Sequence, residues 1–237
     1  MSLPKINVPE YTLVVPSTDE EVKFSPFLVK EEKVLLIAQE TGGEQSLYNA
    51  IKNLVNSCCF GKIDIDALPL FDIEYIFIQI RAKSVDEIAE VMVICPDDGE
   101  TEVKVKVDLT KLQVQMDEKH NPRIELTDNI GVLMTYPNLA SVLSMKKELE
   151  EESNVNNMFQ MIQDCMYQIW QDEETFDVTD YTDKDKQEFL DSLNHEQFEK
   201  LQVFFETMPA LKHELEVTNP KTQVKSKVVL EGMDSFF

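Results

Sequence analysis

Glycine is scarce in this chain, with six in 237 residues. Proteins that cradle phosphates or nucleotides need glycine where the backbone closes on a ligand, and neither a phosphate loop nor a dinucleotide fingerprint occurs. Basic residues are also few: 22 Lys and Arg face 45 Asp and Glu, a formal net charge of −23. Nucleic-acid binding draws most of its affinity from cations set against phosphates. Without a basic patch, the sequence argues against nucleic acid and anionic lipid as partners and leaves room for a basic protein partner. The four cysteines (Cys58, Cys59, Cys95 and Cys165) show no disulfide spacing. The longest apolar run is interrupted by Asp72, Glu74 and Gln79, too short and too polar to span a bilayer. The opening MSLPKINVPE lacks a basic n-region and an apolar h-region. Together these absences predict a soluble protein made in a reducing cytoplasm and free of membrane.

Catalytic sets are missing as well. The three histidines, His120, His195 and His213, fall in a loop, a helix start and a strand start. None accompanies a Gly-x-Ser-x-Gly or a recognisable cysteine motif. Carboxylate pairs abound, but nothing singles one out, so the reading is of a protein that is not an enzyme and carries no cofactor.

What is present is organised around Asp66 to Asp108. Leu70 to Ala82 is the most hydrophobic run. Phe71, Tyr75, Ile78 and Ala82 share one helical face, and Ile73, Ile76, Phe77 and Ile80 fill much of the rest. A helix apolar nearly all round is a buried one; a strand is the rival reading, because β-branched and aromatic residues are dense here. Val91, Val93 and Cys95 then alternate with Glu90, Met92 and Ile94, and after a turn at Cys95-Pro96-Asp97-Asp98-Gly99 the residues Val103, Val105, Val107 and Leu109 alternate with Glu102, Lys104, Lys106 and Asp108. This is the clearest period-two signal in the chain. A second hairpin of the same design closes the sequence, with Leu211, Leu215 and Val217 leading to a turn at Asn219-Pro220-Lys221-Thr222 and Val224, Val228 and Leu230 leading away.

Residues 1–40 read as strands: Tyr11–Val15, Val22–Phe24 and Phe27–Val29, with Val34–Ala38 a buried strand or the start of a helix. Gly42-Gly43 punctuates. A helix over 44–59 follows from Leu47, Ile51, Leu54 and Val55 at three- and four-residue spacing, with Cys58 and Cys59 packed at its end as small hydrophobes. Short strands are predicted at 112–116, 124–126 and 131–135. At Tyr136-Pro137 the texture changes, and residues 138–209 carry no period-two segment. Val155, Met158, Phe159, Ile162, Cys165, Met166, Ile169 and Trp170 predict one long helix. A second has Thr182 as N-cap and carries Phe189, Leu190 and Leu193. A third carries Phe198, Leu201, Phe204, Phe205 and Met208, opens on a capping box at Asn194–Gln197 and stops at Pro209. The predicted class is α+β: a β-rich part over 1–137 with two helices and the first knuckle-like hairpin, an acidic helical bundle inserted over 138–209, and a hairpin over 210–237 completing the first part. The terminal Phe236 and Phe237 are expected to be packed, on this protein or on a partner.

Metal binding is the sharpest chemical candidate. Each hairpin turn has the form of a zinc knuckle, which ordinarily reads Cys-Pro-x-Cys-Gly. The four ligand positions are held by Cys95, Asp98, Asn219 and Thr222, a poor set for zinc, so a metal-free hairpin pair is expected, with Cys95 and Asp98 as the weak metal candidates. The run Asp172 to Asp191 holds nine carboxylates; it resembles a calcium loop at Asp183-Lys-Asp185 but lacks the glycine at the sixth position, where Glu188 stands, and the acid at the twelfth, where Asn194 stands. It reads as a solvated surface.

Several separated stretches carry a resemblance. Phe27-Leu-Val-Lys-Glu-Glu-Lys33, Ile80-Arg-Ala-Lys-Ser-Val85, Cys95-Pro96, Leu126-Thr-Asp-Asn-Ile-Gly-Val132 with Tyr136-Pro137, and Val229-Leu-Glu-Gly-Met-Asp-Ser-Phe-Phe237 together resemble the baseplate protein family of T-even-type contractile-tailed bacteriophages, in particular its hub subunits. The resemblance implies a virally encoded, non-enzymatic structural or assembly protein of the tail baseplate hub, with other hub proteins as partners, a possible homo-oligomer, located in the host cytoplasm during assembly and then in the virion tail. It also implies knuckles with both cysteines, from which this sequence departs. The alternatives are a degenerate zinc-ribbon binding module and an assembly chaperone absent from the mature particle. Contact surfaces are expected at Phe236 and Phe237, at the edge of the N-terminal strands, and around Trp170 and Phe205.

Overall fold

The computed structural model describes residues 6–41, 44–142 and 154–236; Gly42, Gly43 and Phe237 lie outside them. The protein is α+β. It folds as two compact units: Met1–Gln115 with Ala210–Phe237 form one, and Met116–Pro209 form the other.

The first unit is built on α3 (Leu70–Ser84), which runs through the longest apolar stretch. Phe71, Ile73, Ile76, Phe77, Ile78, Ile80 and Ala82 are all buried on it, so the helix is covered on every side and the rival strand reading is settled. Each of the buried Phe and Ile side chains contributes about 1.5–3 kcal/mol on burial. Two polar residues on α3 serve as anchors. Asp72, fully buried, accepts from the Ser17 backbone N–H at 3.1 Å and from the Ser17 hydroxyl, which fixes the turn between β1 (Tyr11–Val14) and β2 (Glu21–Phe24) to the head of the helix. Burial pushes the Asp72 carboxyl above its ordinary range. Gln79 donates to the Leu109 carbonyl at 3.2 Å. Against α3 packs α2 (Glu44–Cys58), where Ile51, Leu54 and Val55 of the predicted face are buried and Leu47 is half-buried, with Cys58 and Cys59 buried at its end.

Residues 29–41 correct the sequence reading. The expected strand at Phe27–Val29 is absent, and Val34–Ala38, open between strand and helix in the sequence, lies in a helix, α1 (Val29–Thr41). Its start is local chemistry: the Glu31 carboxylate accepts from the Leu28 N–H at 3.1 Å, and Glu31 and Glu32 sit in the first turn, where acids suit the helix dipole. Only Leu35 and Ala38 among its apolar residues are buried.

The two predicted hairpins are present in this unit. β3 (Ile88–Ile94) and β4 (Glu102–Asp108) pair antiparallel from Ile88 opposite Asp108 to Ile94 opposite Glu102, burying Ala89, Val91 and Val93 on one face. β10 (Ala210–Thr218) pairs with β11 (Lys225–Glu231) and, on its other side, with β5 (Gln113–Gln115), giving the order β11-β10-β5. After β11, Gly232 (φ +69°) turns the chain into a 3-10 turn at Met233–Phe236, which packs on α3 and β3 with Phe236 fully buried.

The second unit is a four-stranded antiparallel sheet with helices. The strand order is β6 (Arg123–Glu125), β7 (Ile130–Met134), β8 (Met166–Gln171), β9 (Glu174–Asp177). The helices are α4 (Asn154–Cys165), α5 (Asp183–Asp191) and α6 (His195–Thr207). Both expected caps are observed: Thr182 with Asp185, and Asn194 with Gln197, each a reciprocal capping box. β8 and β9 overturn the expectation of one helix through Trp170 and of no strand within residues 138–209. The apolar residues Met166, Ile169 and Trp170 fit either period, and the segment Tyr167–Trp170 is rich in strand formers. A two-residue turn at Asp172-Glu173, with Asp172 at φ +54°, folds β9 back on β8. The core joins sheet and helices through Ile124, Val132, Met134, Ile162, Leu190, Leu201 and Phe204.

Candidate functional site

The two hairpin tips of the first unit make the same turn, and the first is one residue longer where it closes. In the first, the Gly99 N–H donates to the Cys95 carbonyl at 2.9 Å, and the Cys95 N–H to the Thr101 carbonyl at 2.8 Å. In the second, the Gln223 N–H donates to the Asn219 carbonyl at 2.8 Å, and the Asn219 N–H to the Val224 carbonyl at 2.9 Å. Gly99 and Gln223 occupy the left-handed region at φ +68° and +64°, the conformation that the glycine of a knuckle supplies without strain.

Side chains join the tips. The Asn219 Nδ2 donates to both oxygens of Asp97 at 3.1 Å and to Asp98 Oδ2 at 2.9 Å, and the Thr222 hydroxyl donates to Asp97 Oδ2. The Asn219 Oδ1 is turned back onto its own tip, accepting from the Lys221 N–H at 2.8 Å. Reversing the amide would aim an oxygen at two carboxylates, so the network fixes its orientation. Asp98 also accepts from the Thr101 N–H at 2.9 Å, the Glu100 N–H at 3.1 Å and the Thr101 hydroxyl. These donors, Thr101 foremost, hold the Asp98 carboxyl far below its usual range, and Thr222 and Asn219 lower Asp97. Asn219 is fully buried.

This geometry decides the metal question on chemistry. The four ligand positions of the knuckle pair are Cys95, Asp98, Asn219 and Thr222. Asn219 presents its N–H groups, not its oxygen, to the opposite tip, and a proton donor repels a cation. The Cys95 thiol is buried, and burial together with the neighbouring carboxylates Asp97 and Asp98 raises its pKa, which opposes the thiolate that zinc requires. The residues do not fit a zinc ion, and no group of three or more His, Cys, Asp or Glu side chains among the described residues is placed to hold one. The other cysteines are no better as nucleophiles: burial pushes Cys58, Cys59 and Cys165 up to about 12.

A second polar joint lies in the second unit. His120 stacks on Tyr136, with centroids 5.5 Å apart, and meets Phe204 at a tilt, with centroids 5.0 Å apart. Its Nδ1 is 3.0 Å from the Thr207 hydroxyl, and its Nε2 is 3.0 Å from the Tyr136 hydroxyl. Thr207 commits its own proton to the Val203 carbonyl at 2.8 Å. It therefore accepts from His120, which fixes the neutral Nδ1–H tautomer and leaves Nε2 to accept from Tyr136. Burial lowers the His120 pKa.

The sequence-predicted contact residues are placed as follows. Phe236 is fully buried within the first unit. Trp170 is 8% exposed, with the Arg123 guanidinium 3.8 Å above its ring. Its other neighbour is Gly131 across the strand pair, where an added Cβ would fall 2.0 Å from the indole; only a glycine leaves the ring its place. Phe205 is half-buried and meets Phe204 edge-on at 5.1 Å. Sequence reasoning missed Asp97, Thr101 and His120. For Asp97 and Thr101 the signal was present in the knuckle spacing; for His120 the partners lie 16 and 87 residues away and nothing local marks them.

No helix among the described residues is long and apolar enough to cross a membrane. Compared with known proteins, residues 8–237 match a family model described as T4 bacteriophage base plate protein. No curated protein and no solved structure matches the chain.

Proposed function

From the premise that the chain belongs to the T4 bacteriophage base plate protein family, we propose that it is a non-enzymatic component of the baseplate hub that works through protein–protein contacts. The family carries a structural role in the phage baseplate and a place in the virion tail; the hub, and the contact surface, are this reading's additions. The observation that supports it is α1. Leu28 and the helix residues Val29, Val34 and Leu36 are exposed at 46%, 78%, 51% and 52%. A helix that leaves so many large aliphatic side chains in water on an otherwise acidic, well-packed unit is built to be covered. The knuckle hairpins, closed by side chains, give that unit a rigid frame. Other baseplate proteins are the partners, and a second copy of this chain is a further one.

The test is quantitative mass spectrometry of purified particles against infected-cell lysate, for the natural phage and for one carrying Val29→Lys with Leu36→Lys. Stoichiometric presence in natural particles, lost in the variant while the variant chain stays folded, is the expected result. Abundance in lysate without presence in particles would make the protein an assembly chaperone instead.

A further inference from the structure

The second unit holds an apolar groove of about 490 Å³ between its sheet and α5. Ile130, Ile169 and Phe176 form the floor: Ile169 sits opposite Phe176 in the β8–β9 pair, and Ile130 lies on the same sheet face beside them. Val178, Tyr181 and Phe189 form the walls. The floor is continuous with the core, since Ile169 and Phe189 pack directly against it. The lip is acidic on balance. Asp185 and Glu188 line the opening together with Lys186, and Asp172, Glu173, Glu174, Asp180 and Asp191 lie within two residues of lining residues in the chain. The local lysines are already engaged, Lys186 with Asp183 at 3.0 Å and Lys184 with Glu188 at 3.6 Å. Among the described residues no basic side chain pairs with Asp172, Glu173, Glu174, Asp180, Asp185 or Asp191.

We infer that this groove receives a basic segment of a partner protein: an apolar or aromatic side chain seated over Ile169 and Phe176, flanked by Lys or Arg against the acidic lip. Two independent features define that occupant. The apolar floor selects the anchor, because a cavity lined by aliphatic and aromatic side chains gains from displacing water. The surplus of carboxylates around the lip, most of them without a basic partner, selects the flanks by charge and also disfavours a second copy of this chain, whose net charge is −23. This deepens the contact-protein reading above by naming the partner's chemistry, and it rests on that reading for the existence of a protein partner.

The experiment titrates the isotope-labelled full chain with acetyl-Lys-Lys-Phe-Lys-Lys-amide and with the same peptide bearing Gly for Phe, followed by amide chemical shifts. The Phe peptide is expected to bind at least about tenfold more tightly than the Gly peptide, moving the amides of Ile169, Phe176 and Phe189. Ser192→Trp, which fills the groove from its lip, removes that difference; Gln171→Trp serves from the opposite lip if the first variant does not fold. Asp185→Asn with Glu188→Gln weakens both peptides and flattens their salt dependence. Equal binding of the two peptides, with shifts scattered over the acidic surface, would overturn the groove and leave only diffuse charge. Self-association abolished by Ser192→Trp in sedimentation would overturn the choice of partner. Neither result touches the particle measurement, so the failure of this inference and of the hub reading are separable.

Discussion

The two hairpin tips differ in side chains and agree in the backbone of the turn itself. Residues 95–99 and 219–223 make the same turn-closing bond, Gly99 N–H to the Cys95 carbonyl and Gln223 N–H to the Asn219 carbonyl, and reach the same left-handed residue, although the first tip closes on Thr101 and the second, one residue shorter, on Val224. Yet the first tip carries only acceptors toward its neighbour, Asp97 and Asp98, and the second carries only donors, Asn219 and Thr222. The turn is therefore a property of the x-Pro-x-x sequence and its local hydrogen bonds, while the link between tips is a separable part. A metal joins two identical tips because it supplies the opposite charge itself. Without it, the tips must become unlike, one collecting the lone pairs and the other the protons.

The strongest way to break that comparison is to make the tips alike again. Asp98→Cys, Asn219→Cys and Thr222→Cys, added to the native Cys95, restore a four-thiolate set on a backbone already shaped for it. The triple variant is expected to bind about one zinc per chain, with an apparent free energy of order 10 kcal/mol, and to lose its folded first unit to a chelator. Zinc content and chelator-dependent melting measure this. Failure to bind would mean that the tips stand at the wrong separation for a metal and that the likeness ends at the turn.

A smaller break leaves the tips unlike but spoils their complementarity. Asn219→Asp puts a third carboxylate against Asp97 and Asp98 and removes the donors that satisfy them. Because Asn219 is fully buried, a loss of about 3 kcal/mol is expected in denaturant unfolding. Adding Asp97→Asn and Asp98→Asn to this variant returns donors to the opposite tip and recovers most of the loss. A structural role for residue 219 unrelated to the joint would leave the combined variant no better than the single one.

How much of this is legible in the sequence follows from the range of the forces involved. The hairpins declare themselves because alternation and the turn motif are local; the capping boxes at Thr182 and Asn194 do so for the same reason. Val34–Ala38 stayed ambiguous because a short apolar run fits a strand or a helix equally, and what decides it is the Glu31 bond to Leu28 together with packing of Leu35 and Ala38 alone. The segment Met166–Trp170 reads as helix in the sequence because its apolar positions fit that period as well as a strand's, and only pairing with β7 chooses the strand. The candidate joint was half legible. Spacing named Cys95, Asp98, Asn219 and Thr222, but that Asp97 takes the greater share of the cross-tip bonds requires knowing that residues 122 and 125 positions apart touch.

The weakest perturbation is acid, and it separates the tips from the joint at His120 by where each titrates. The folded pKa values of Asp97 and Asp98 lie below the ordinary 3.8. Their contribution is fully present above 3.8 and is lost as pH falls below it through the folded values, because there the unfolded chain binds more protons. His120 is also lowered, from 6.5, by burial. For a base the same inequality means that the neutral ring is favoured by folding, so its contribution is complete above 6.5 and declines as pH falls from 6.5 through the folded value. Two windows are thus expected, an upper one read at amides of the second unit and a lower one read at Asn219 and its neighbours in the first, by hydrogen exchange across a pH series. His120→Gln should flatten the upper window alone, and Asp97→Asn with Asp98→Asn the lower alone. The two carboxylates are exposed, so the lower window is shallow and fades with salt. A single transition shared by both sets of amides would show instead that acid acts on the chain's total charge, and that the joint between the tips holds no more firmly than the surface around it.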